Sequence, residues 1–431
     1  MSRSLRFLRP RPVLAAVLLF ATHTVLAEQV PSSAAVSLTE ALRRAAERNP
    51  ALLAKRHDER AAEALIEQAG LRPNPTLDVA LENFAGTGAV QSVRGLETTV
   101  QASQTFERGG KRDRRVALAG SERAAAASEY AVLRAEILAA TATAFVEALA
   151  AQARLALVAE PRRLARETVS AVEGRVKAGA ASPAESARAR AGLAVAEADF
   201  VRAEASLNAA RARLAATWGG APEEVATLSG ALHLPEALPD REALFARLVE
   251  HPRLELQRTV IASRRAALDL EQAQAVQDIT VGGGVRFLRD GSDAAFVAGV
   301  SVPLPVRNRN QGNIRAARET LSRAEQEVRT VEVELRAAFV AAWQDLSAAH
   351  RAARNLRQQA LPATEEAHEA VRHAYEQGQL PLIDVLDAQR ALAAIRREIL
   401  DTESAYALAL VRLEALTDPA YAALSRLIAQ P

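Results

Sequence analysis

The feature that most limits how this chain can fold is a long helical pattern that occurs twice. The first copy starts at Gly179 and runs to Thr217, and the second starts at Gly378 and runs to Leu416, 199 residues further on. Apolar positions alternate at spacings of four and three, which indicates a coiled-coil seam rather than one face of a globular helix. The seam positions are Ala189, Leu193, Ala196, Phe200, Ala203, Leu207, Ala210 and Leu214, and then Ala388, Leu392, Ile395, Ile399, Thr402, Tyr406, Ala409 and Leu413.

Two further stretches, 111–178 and 312–377, also have the pattern of helices, with interruptions expected at Pro161 and Pro362. A helical stretch of ~68 residues would be on the order of 100 Å long at ~1.5 Å per residue. The composition agrees with long helices, because 49% of the 431 residues are apolar but only 4% are aromatic. Helices of this length need neighbours of the same length, so we expect a helical shaft rather than a globular core.

In two segments that interrupt the helical pattern, apolar and polar residues alternate with a period of two. Each segment predicts one β-hairpin, at 75–106 and 279–303. Each strand has one apolar and one more polar face, since successive side chains point to opposite sides of a sheet. In the first strand these faces hold Leu77, Val79 and Leu81, and Asp78, Ala80 and Glu82. The predicted fold class is therefore mainly α-helical, with four β-strands per chain.

The edges of such a sheet raise a physical problem. Four amphipathic strands cannot close into a barrel, and an open sheet leaves unpaired backbone groups. Strands of about 9–11 residues suit a tilted membrane crossing, where every edge must be closed. Three copies would supply twelve strands and close one transmembrane barrel. The alternative from periodicity alone is a soluble hairpin packed on helices, which the export signal disfavours.

Residues 1–27 have the three parts of a signal peptide. A basic segment precedes a short apolar run from Val13 to Phe20, and small residues allow cleavage after Ala27. The apolar run is well short of the ~20 residues that a spanning helix needs, so an N-terminal anchor helix is the weaker alternative. No later segment reaches that length, so the mature chain is predicted to be exported without a transmembrane helix.

The charge and the reactive residues exclude several function classes. The formal net charge is +2 and Arg and Glu are interleaved along the helices, so a nucleic-acid partner is not expected. The chain has no cysteine, and its seven histidines have no partners at metal-ligand spacing. The sequence also has no hydrolase or metalloprotease motif. We therefore expect no metal site, no cofactor and no catalytic activity.

Matches outside the seam predict an internal two-fold repeat of about 200 residues. The Glu-Ala-Leu triplet at 40–42 returns at 242–244, and Pro50 returns as Pro252. The predicted organisation is a first repeat at 28–217 with a helical hairpin at 111–217, a connector at 218–240, a second repeat at 241–416 with a helical hairpin at 311–416, and a C-terminal tail at 417–431 without a strong signal.

The turns at the tips of the two helical hairpins have clear chemistry. Gly179 and Gly378 stand where a glycine ends a helix in the left-handed conformation. After the first glycine, Ser182, Pro183 and Glu185 form the pattern of a capping box with a proline at the first helical position. Each half is thus predicted to run strand, strand, helix, helix.

Three segments carry a resemblance to a known family. Residues 103–112 (SQTFERGGKR) and 302–314 (VPLPVRNRNQGNI) each join a strand to a long helix, and the pattern Gly-x5-Asp-Val-Leu-Asp spans Gly378 to Asp387. With these motifs, and over essentially all of the predicted mature chain, the sequence resembles the outer membrane factor (TolC-like) efflux family. It is most similar to the heavy-metal resistance branch, of the cobalt-zinc-cadmium (CzcC-like) type.

The resemblance implies a homotrimer in the outer membrane of a Gram-negative bacterium. Such trimers place a twelve-stranded barrel in the lipid and an α-helical barrel in the periplasm. The family works as a passive exit duct that docks to a periplasmic adaptor and an inner-membrane, proton-driven RND-type pump. The branch implies heavy-metal cations as cargo; a drug-efflux or type I secretion duct is the alternative. A soluble periplasmic coiled-coil structural protein is a weaker one.

The resemblance also implies roles for residues at the tips. Asp384 and Asp387 would line the periplasmic entrance as rings of carboxylates that attract cations, and Tyr375 stands where a tyrosine closes the entrance. Leu380 stands where the family's best-known member has a basic residue, which puts an ionic latch there in doubt. From the residues alone, the alternative for Asp384 is an acidic first-turn residue that the helix dipole favours, and the two roles are compatible. The candidate docking residues are Gly179, Ser182, Glu185, Arg188, Gly378 and Pro381.

Overall fold

The computed structural model describes residues 35–418 and 420–429, so the predicted signal peptide at 1–27 lies outside the described residues. The described chain is mainly helical with one four-stranded sheet, as the sequence predicts. None of its helices combines the length and the hydropathy that crossing a bilayer requires. The helices are α1 (Leu38–Arg48), α2 (Pro50–Ala69), α3 (Lys111–Lys177), α4 (Pro183–Ala216), α5 (Arg241–Ala246), α6 (Pro252–Gln274), α7 (Gln311–Asn355), α8 (Leu361–Glu376), α9 (Leu382–Thr417) and α10 (Ala422–Ala429). The strands are β1 (Thr76–Glu82), β2 (Glu97–Phe106), β3 (Ile279–Leu288) and β4 (Asp293–Ser301).

The sheet is antiparallel throughout and follows the order of the chain, β1–β2–β3–β4. Val79 lies opposite Val100, Val100 opposite Val285, and Val285 opposite Phe296. One row of apolar side chains therefore crosses all four strands, and the predicted alternation of faces is confirmed. Among the described residues, β1 and β4 are the edge strands, and each has one strand neighbour.

A layer of helices continues the sheet. Helices α2 and α6 precede β1 and β3, whereas α3 and α7 follow β2 and β4. Helix α2 packs on α3, α3 packs on α6, and α6 packs on α7. The helices thus lie side by side in the same order as the strands to which they are joined. The layer, like the sheet, has two outer members, α2 and α7.

Two long hairpins extend from this layer, and they differ. In the first, α3 is one continuous helix over Lys111–Lys177, so the interruption expected at Pro161 is wrong. In the second, the α-helical pattern gives way to a π turn over Leu356–Ala360, and Pro362 follows in the first turn of α8. A wider turn at this place relieves the contact of a proline ring with the preceding carbonyl groups.

The predicted seam contributes to the packing of both return helices. Its buried members are Ala189, Ala203, Leu207, Ala210 and Leu214 of α4, and Ile399, Tyr406, Ala409 and Leu413 of α9. The main hydrophobic core lies where α4 and α9 end against α1, the middle of α3 and the segment 225–232. The seam prediction is therefore confirmed, and the core sits between the sheet-bearing layer and the hairpin tips.

The C-terminal tail contains a helix that the sequence did not signal. Leu424, Leu427 and Ile428 of α10 are buried in the main core. The buried carboxylate of Glu414 accepts hydrogen bonds from the backbone N–H groups of Ala423 (2.7 Å) and Leu424 (3.0 Å). The side chain of Glu414, one turn before the end of α9, thus caps the N-terminus of α10.

Candidate channel wall and entrance

One face of the sheet exposes a continuous apolar surface. Phe296 is 94% exposed, Leu77 71%, Val300 69% and Val79 61%, although all four are large hydrophobic residues. Exposed apolar area on this scale marks a surface that contacts another protein or lipid. The four strands have 7 to 10 residues each, close to the length of a tilted membrane crossing.

The opposite face of the sheet is polar and internally bonded. Arg286 donates hydrogen bonds to the hydroxyl of Thr99 (3.1 Å) and the carboxylate of Glu97 (3.0 Å), and its guanidinium lies 3.4 Å from the carboxylate of Glu82. Side-chain oxygens also pair across neighbouring strands between Thr105 and Thr280, 3.0 Å apart. This face presents charged and hydroxyl groups suited to contact with water.

Glycine allows the polar face to pack closely at one point. A Cβ atom at Gly284 would lie 2.2 Å from the carbonyl oxygen of Val100 and 2.7 Å from the Cα atom of Gln101. Such distances are far below van der Waals contact, so only glycine fits there. Gly284 in β3 therefore serves close packing within the sheet.

Ion pairs fix the junction between strands and helices. Lys111, the first residue of α3, pairs with Asp278 just before β3 at 2.7 Å. Asp278 also accepts a hydrogen bond from the backbone N–H of Arg108 at 3.0 Å. Arg115 pairs with Glu107, and its hydrogen bond holds the pKa of that carboxyl below the usual value. The sheet and the helical layer are thus joined by short charged contacts.

The tips of the two hairpins use the same turn. Gly179 and Gly378 have positive φ angles of 73° and 77°. The N–H groups of Gly179 and Ala180 donate to the carbonyls of Val176 (3.0 Å) and Arg175 (2.8 Å), which is a Schellman motif. The corresponding bonds in the second tip run from Gly378 to Tyr375 (2.9 Å) and from Gln379 to Ala374 (2.9 Å). The helix-ending glycines predicted from the sequence are confirmed.

The helices that follow the tips begin differently. Ser182 and Glu185 form the predicted capping box, each accepting from the other's backbone N–H at 3.3 Å. Pro381 stands at the same place before α9 and supplies no side-chain cap. The backbone N–H of Asp384 donates to the carbonyl of Pro381, at 3.2 Å.

The residues predicted for the entrance are distributed over two environments. The hydroxyl of Tyr375 accepts a hydrogen bond from Arg175 at 2.6 Å, which joins the second hairpin to the first. Asp387 pairs with Arg390 in its own helix at 2.9 Å. The carboxylate of Asp384 has no ion-pair or hydrogen-bond partner among residues 35–418 and 420–429. The structure thus brings Tyr375 into a contact between hairpins, and of the two aspartates it pairs only Asp387 within the described residues.

A cleft of about 1020 Å³ lies between the two hairpins, beside the tips. Its walls come from α3 and α4 on one side and from α8 and α9 on the other. Arg188 and Arg390 both line it, together with Leu164 and Leu386. The cleft is therefore lined by both apolar and charged side chains.

Comparison with known proteins assigns the chain to a family. The sequence model of the family described as "Outer membrane efflux protein" matches residues 41–220 and 246–418. The chain belongs to the outer membrane efflux protein family. It is 33% identical, over 87% of its length and 88% of the relative's, to the cobalt-zinc-cadmium resistance protein CzcC of Cupriavidus metallidurans. It is 30% identical, over 75% of its length and 72% of the relative's, to the nickel-cobalt-cadmium resistance protein NccC of Alcaligenes xylosoxydans xylosoxydans.

The fold comparison agrees with this assignment. The chain superposes on the crystal structure of the outer membrane protein VceC from Vibrio cholerae with a TM-score of 0.70. The alignment covers 88% of this chain and 95% of VceC, at 22% identity. The predicted family and its outer-membrane location are therefore confirmed. As an outer membrane efflux protein, the chain has its helical part in the periplasm.

Three contacts of this outer membrane efflux protein escaped the sequence analysis. Arg390 follows Asp387 by three residues, a helical spacing that would have revealed the pair. Arg175 and Tyr375 are 200 residues apart, and no local pattern connects them. The same holds for Arg286, whose partners Glu82 and Glu97 belong to the other hairpin of the sheet.

Proposed function

We propose that three copies of this chain form a closed duct that carries efflux substrates across the outer membrane. The observation that supports it is the four-stranded sheet, which has one exposed apolar face, one polar face and edge strands at β1 and β4. Unpaired strand edges are not tolerated in hydrocarbon, and twelve tilted strands make a closed barrel with a water-filled interior. The apolar face would contact lipid, and the Arg286 network would face the interior.

The helical layer supports the same assembly. Helices α2, α3, α6 and α7 lie in the order of the strands, so joining copies edge to edge would extend both layers at once. The result would be a barrel of helices below the barrel of strands. Division of the chain into two repeats joined by the connector at 218–240 fits this arrangement, because each repeat supplies two strands and one long hairpin.

We further propose divalent heavy-metal cations as the cargo. Relatives that share most of the chain are named for resistance to cobalt, zinc, cadmium and nickel. The only charge that the tip of α9 leaves without a partner among the described residues is the carboxylate of Asp384. Three copies would place three such carboxylates around one entrance and attract cations there. The described residues hold no group of three or more side chains suited to bind a metal, so the cation would pass through.

The duct would be passive, without a catalytic step, and would depend on a periplasmic adaptor and an inner-membrane RND-type pump. The tips at Gly179, Ser182, Glu185 and Arg188 and at Gly378 and Pro381 would be the docking places. Arg188 supports this role, because it lines the cleft between the hairpins, where its charge is accessible. Tyr375 would close the entrance through its hydrogen bond with Arg175.

The assignment of the two sheet faces is tested by a matched pair of substitutions. Phe296→Arg puts a charge on the proposed lipid face, which costs about 2–4 kcal/mol near the bilayer centre. Ala295→Arg puts the same charge on the adjacent residue, which faces the proposed water-filled interior. We expect Phe296→Arg to abolish the heat-labile trimer in the outer-membrane fraction, whereas Ala295→Arg should leave it and lower cation conductance in planar bilayers. Equal effects of the two variants on assembly would contradict the proposal.

The cargo is tested separately. A strain that lacks its duct is complemented with this chain, or with Asp384→Asn, and grown on cobalt, zinc, cadmium and a panel of drugs. Restored tolerance to the metals alone would support a metal duct, and weaker tolerance with Asp384→Asn would support the carboxylate ring. Restored tolerance to drugs alone would show a drug duct instead.

A further inference from the structure

Two proline-containing segments flank the outer strands of the sheet. Residues 71–75 (Leu-Arg-Pro-Asn-Pro) connect α2 to β1, and residues 302–306 (Val-Pro-Leu-Pro-Val) follow β4. We call them the entry segment and the exit segment. Leu71 is 54% exposed in the first, and Leu304 and Val306 are 80% and 74% exposed in the second. Both segments therefore present large apolar side chains that residues 35–418 and 420–429 leave exposed.

Strand direction places both segments at the same end of the sheet. Neighbouring strands alternate in direction, so the last residue of β4 and the first residue of β1 lie at the end where the helices attach. A β1 strand from a second copy, added to β4, would continue the antiparallel alternation. The exit segment of one copy would then run beside the entry segment of the next. Proline lacks the backbone N–H for pairing, so the ladder would stop there and side chains would make the contact.

Charge at the neighbouring helix ends is complementary. Glu67 lies two residues before the end of α2, ~3 Å along the axis at ~1.5 Å per residue. Arg315 lies four residues after the start of α7, ~6 Å along the axis. Both side chains are exposed, and neither is in an ion pair within the described part of the chain. Because α2 and α7 are the outer helices of the layer, these opposite charges lie at nearly the same depth on the two edges that would meet.

We propose that the exit segment of one copy packs on the entry segment of the next, with Leu304 and Val306 against Leu71 and with Arg315 beside Glu67. This inference rests on the proposed trimer and names the contact that seals it below the barrel. The contact is heterologous, since the two partners are different surfaces, and three such contacts close a ring. Water would be excluded where the strand ladder ends and the helical barrel begins.

Cysteine cross-linking tests this contact, because the chain has no cysteine of its own. The double variant Leu71→Cys with Leu304→Cys is treated with a short bis-maleimide in intact outer membranes. We expect covalent dimers and trimers on denaturing gels. Each single variant should stay monomeric, because a heterologous contact never brings two copies of one residue together. A far pair, Leu304→Cys with Val195→Cys, should also stay monomeric.

A strand pair separates failure of this contact from failure of the trimer. Leu77→Cys with Val300→Cys lies on the proposed joining edges themselves, near the same end of β1 and β4. Cross-linking of this strand pair without cross-linking of Leu71 to Leu304 would overturn the inference and leave the trimer standing. Absence of cross-links in both pairs would overturn the trimer as well.

A charge exchange gives an independent readout. Arg315→Glu should lower the temperature at which the trimer dissociates on semi-native gels, and adding Glu67→Arg should restore most of the loss. The matched control Arg318→Glu also reverses an exposed charge in the first turns of α7 but lacks a proposed partner. The proposed pairing would be contradicted if Arg318→Glu lowered the dissociation temperature equally, or if Glu67→Arg did not restore it in the Arg315→Glu variant.

Discussion

The two helical hairpins have the same elements in the same order, yet they differ at the base, the middle and the tip. At the base, α4 has the buried Ala215 where α9, 199 residues later, has the buried Glu414. In the middle, α3 continues through Pro161, whereas a π turn interrupts the second hairpin at Leu356–Ala360. The difference suggests a rigid first hairpin and a second hairpin with a joint.

The surroundings of the π turn support this comparison. Arg357, within the turn, pairs with the buried carboxylate of Glu403 on α9. Arg154 of α3 pairs with Asp401, two residues earlier on α9. At this position along α9, one ion pair thus joins the two arms of the second hairpin, and another joins the second hairpin to the first. Below that position, the cleft lies between the hairpins, and Glu160 of α3 pairs with Arg396 of α9 at 3.9 Å across it. Arg175 and Tyr375 join the hairpins once more at the tips.

The largest expected effect concerns the base, where Glu414 titrates. Burial raises its pKa to about 7, and Tyr406, Tyr421, Asp418 and Arg426 are the titratable or charged groups near it. Because the folded pKa exceeds the ordinary value of 4.5, folding favours the protonated carboxyl. Its stabilisation is complete below pH 4.5 and is lost as the pH rises through about 7, a change on the order of 3 kcal/mol.

Glu414→Gln should remove this pH dependence, since the amide oxygen still accepts from the N-terminus of α10 but carries no charge. The measurement is the urea midpoint of unfolding in detergent at pH 5 and pH 8. The exposed Glu398→Gln on the same helix is the control and should leave the pH dependence as it is. Ala215, at the equivalent place in α4, has no titratable side chain. The protection factors of the α4 amides in hydrogen exchange should therefore not change with pH.

Much of the comparison could be predicted from the sequence, but only where the signal is local. The seam, the alternating strand faces and the two glycine turns depend on spacings within one element, and all of them were predicted correctly. Helix α10 has only eight residues, and its stability comes from Glu414 and the core rather than from its own pattern. The π turn was predicted only as an interruption at Pro362, and the same proline signal failed at Pro161.

The contacts between hairpins at the candidate site could not be predicted, because they join residues that are far apart in the sequence. Arg175 and Tyr375 belong to different hairpins, and their side chains come within reach because α3 and α8 both pack on α9. Asp384 and Asp387 were predicted as a pair, and their roles stay predictions. The structure adds that Asp387 has a partner in Arg390, which leaves Asp384 as the sharper target for substitution.

A smaller effect is expected at the joint. Glu403→Ala leaves Arg357 without its buried partner, but that guanidinium is half-exposed and regains water, so we expect a cost of about 1–2 kcal/mol. The matched control is Glu204→Ala, 199 residues earlier on α4, where the side chain is exposed and the change should stay within ~0.5 kcal/mol. Faster hydrogen exchange over 352–364 in Glu403→Ala, with no change in Glu204→Ala, would support the joint. Equal exchange in both variants would remove the distinction between the hairpins.

The smallest expected effect is at the tips, where the two return helices begin differently. Ser182→Ala removes the capping box of α4 and should destabilise its first turn by ~1 kcal/mol. Pro381→Ser supplies α9 with the cap that it lacks, since the N-cap backbone is already extended and the N–H of Asp384 is in place. The gain should be smaller than the loss in α4, because replacing proline frees the unfolded chain by ~0.4–1 kcal/mol. Amide exchange at 184–187 and 383–386 measures both changes. If Ser182→Ala leaves exchange in α4 unaltered, the cap does not distinguish the two tips, and the first hairpin owes its order there to packing alone.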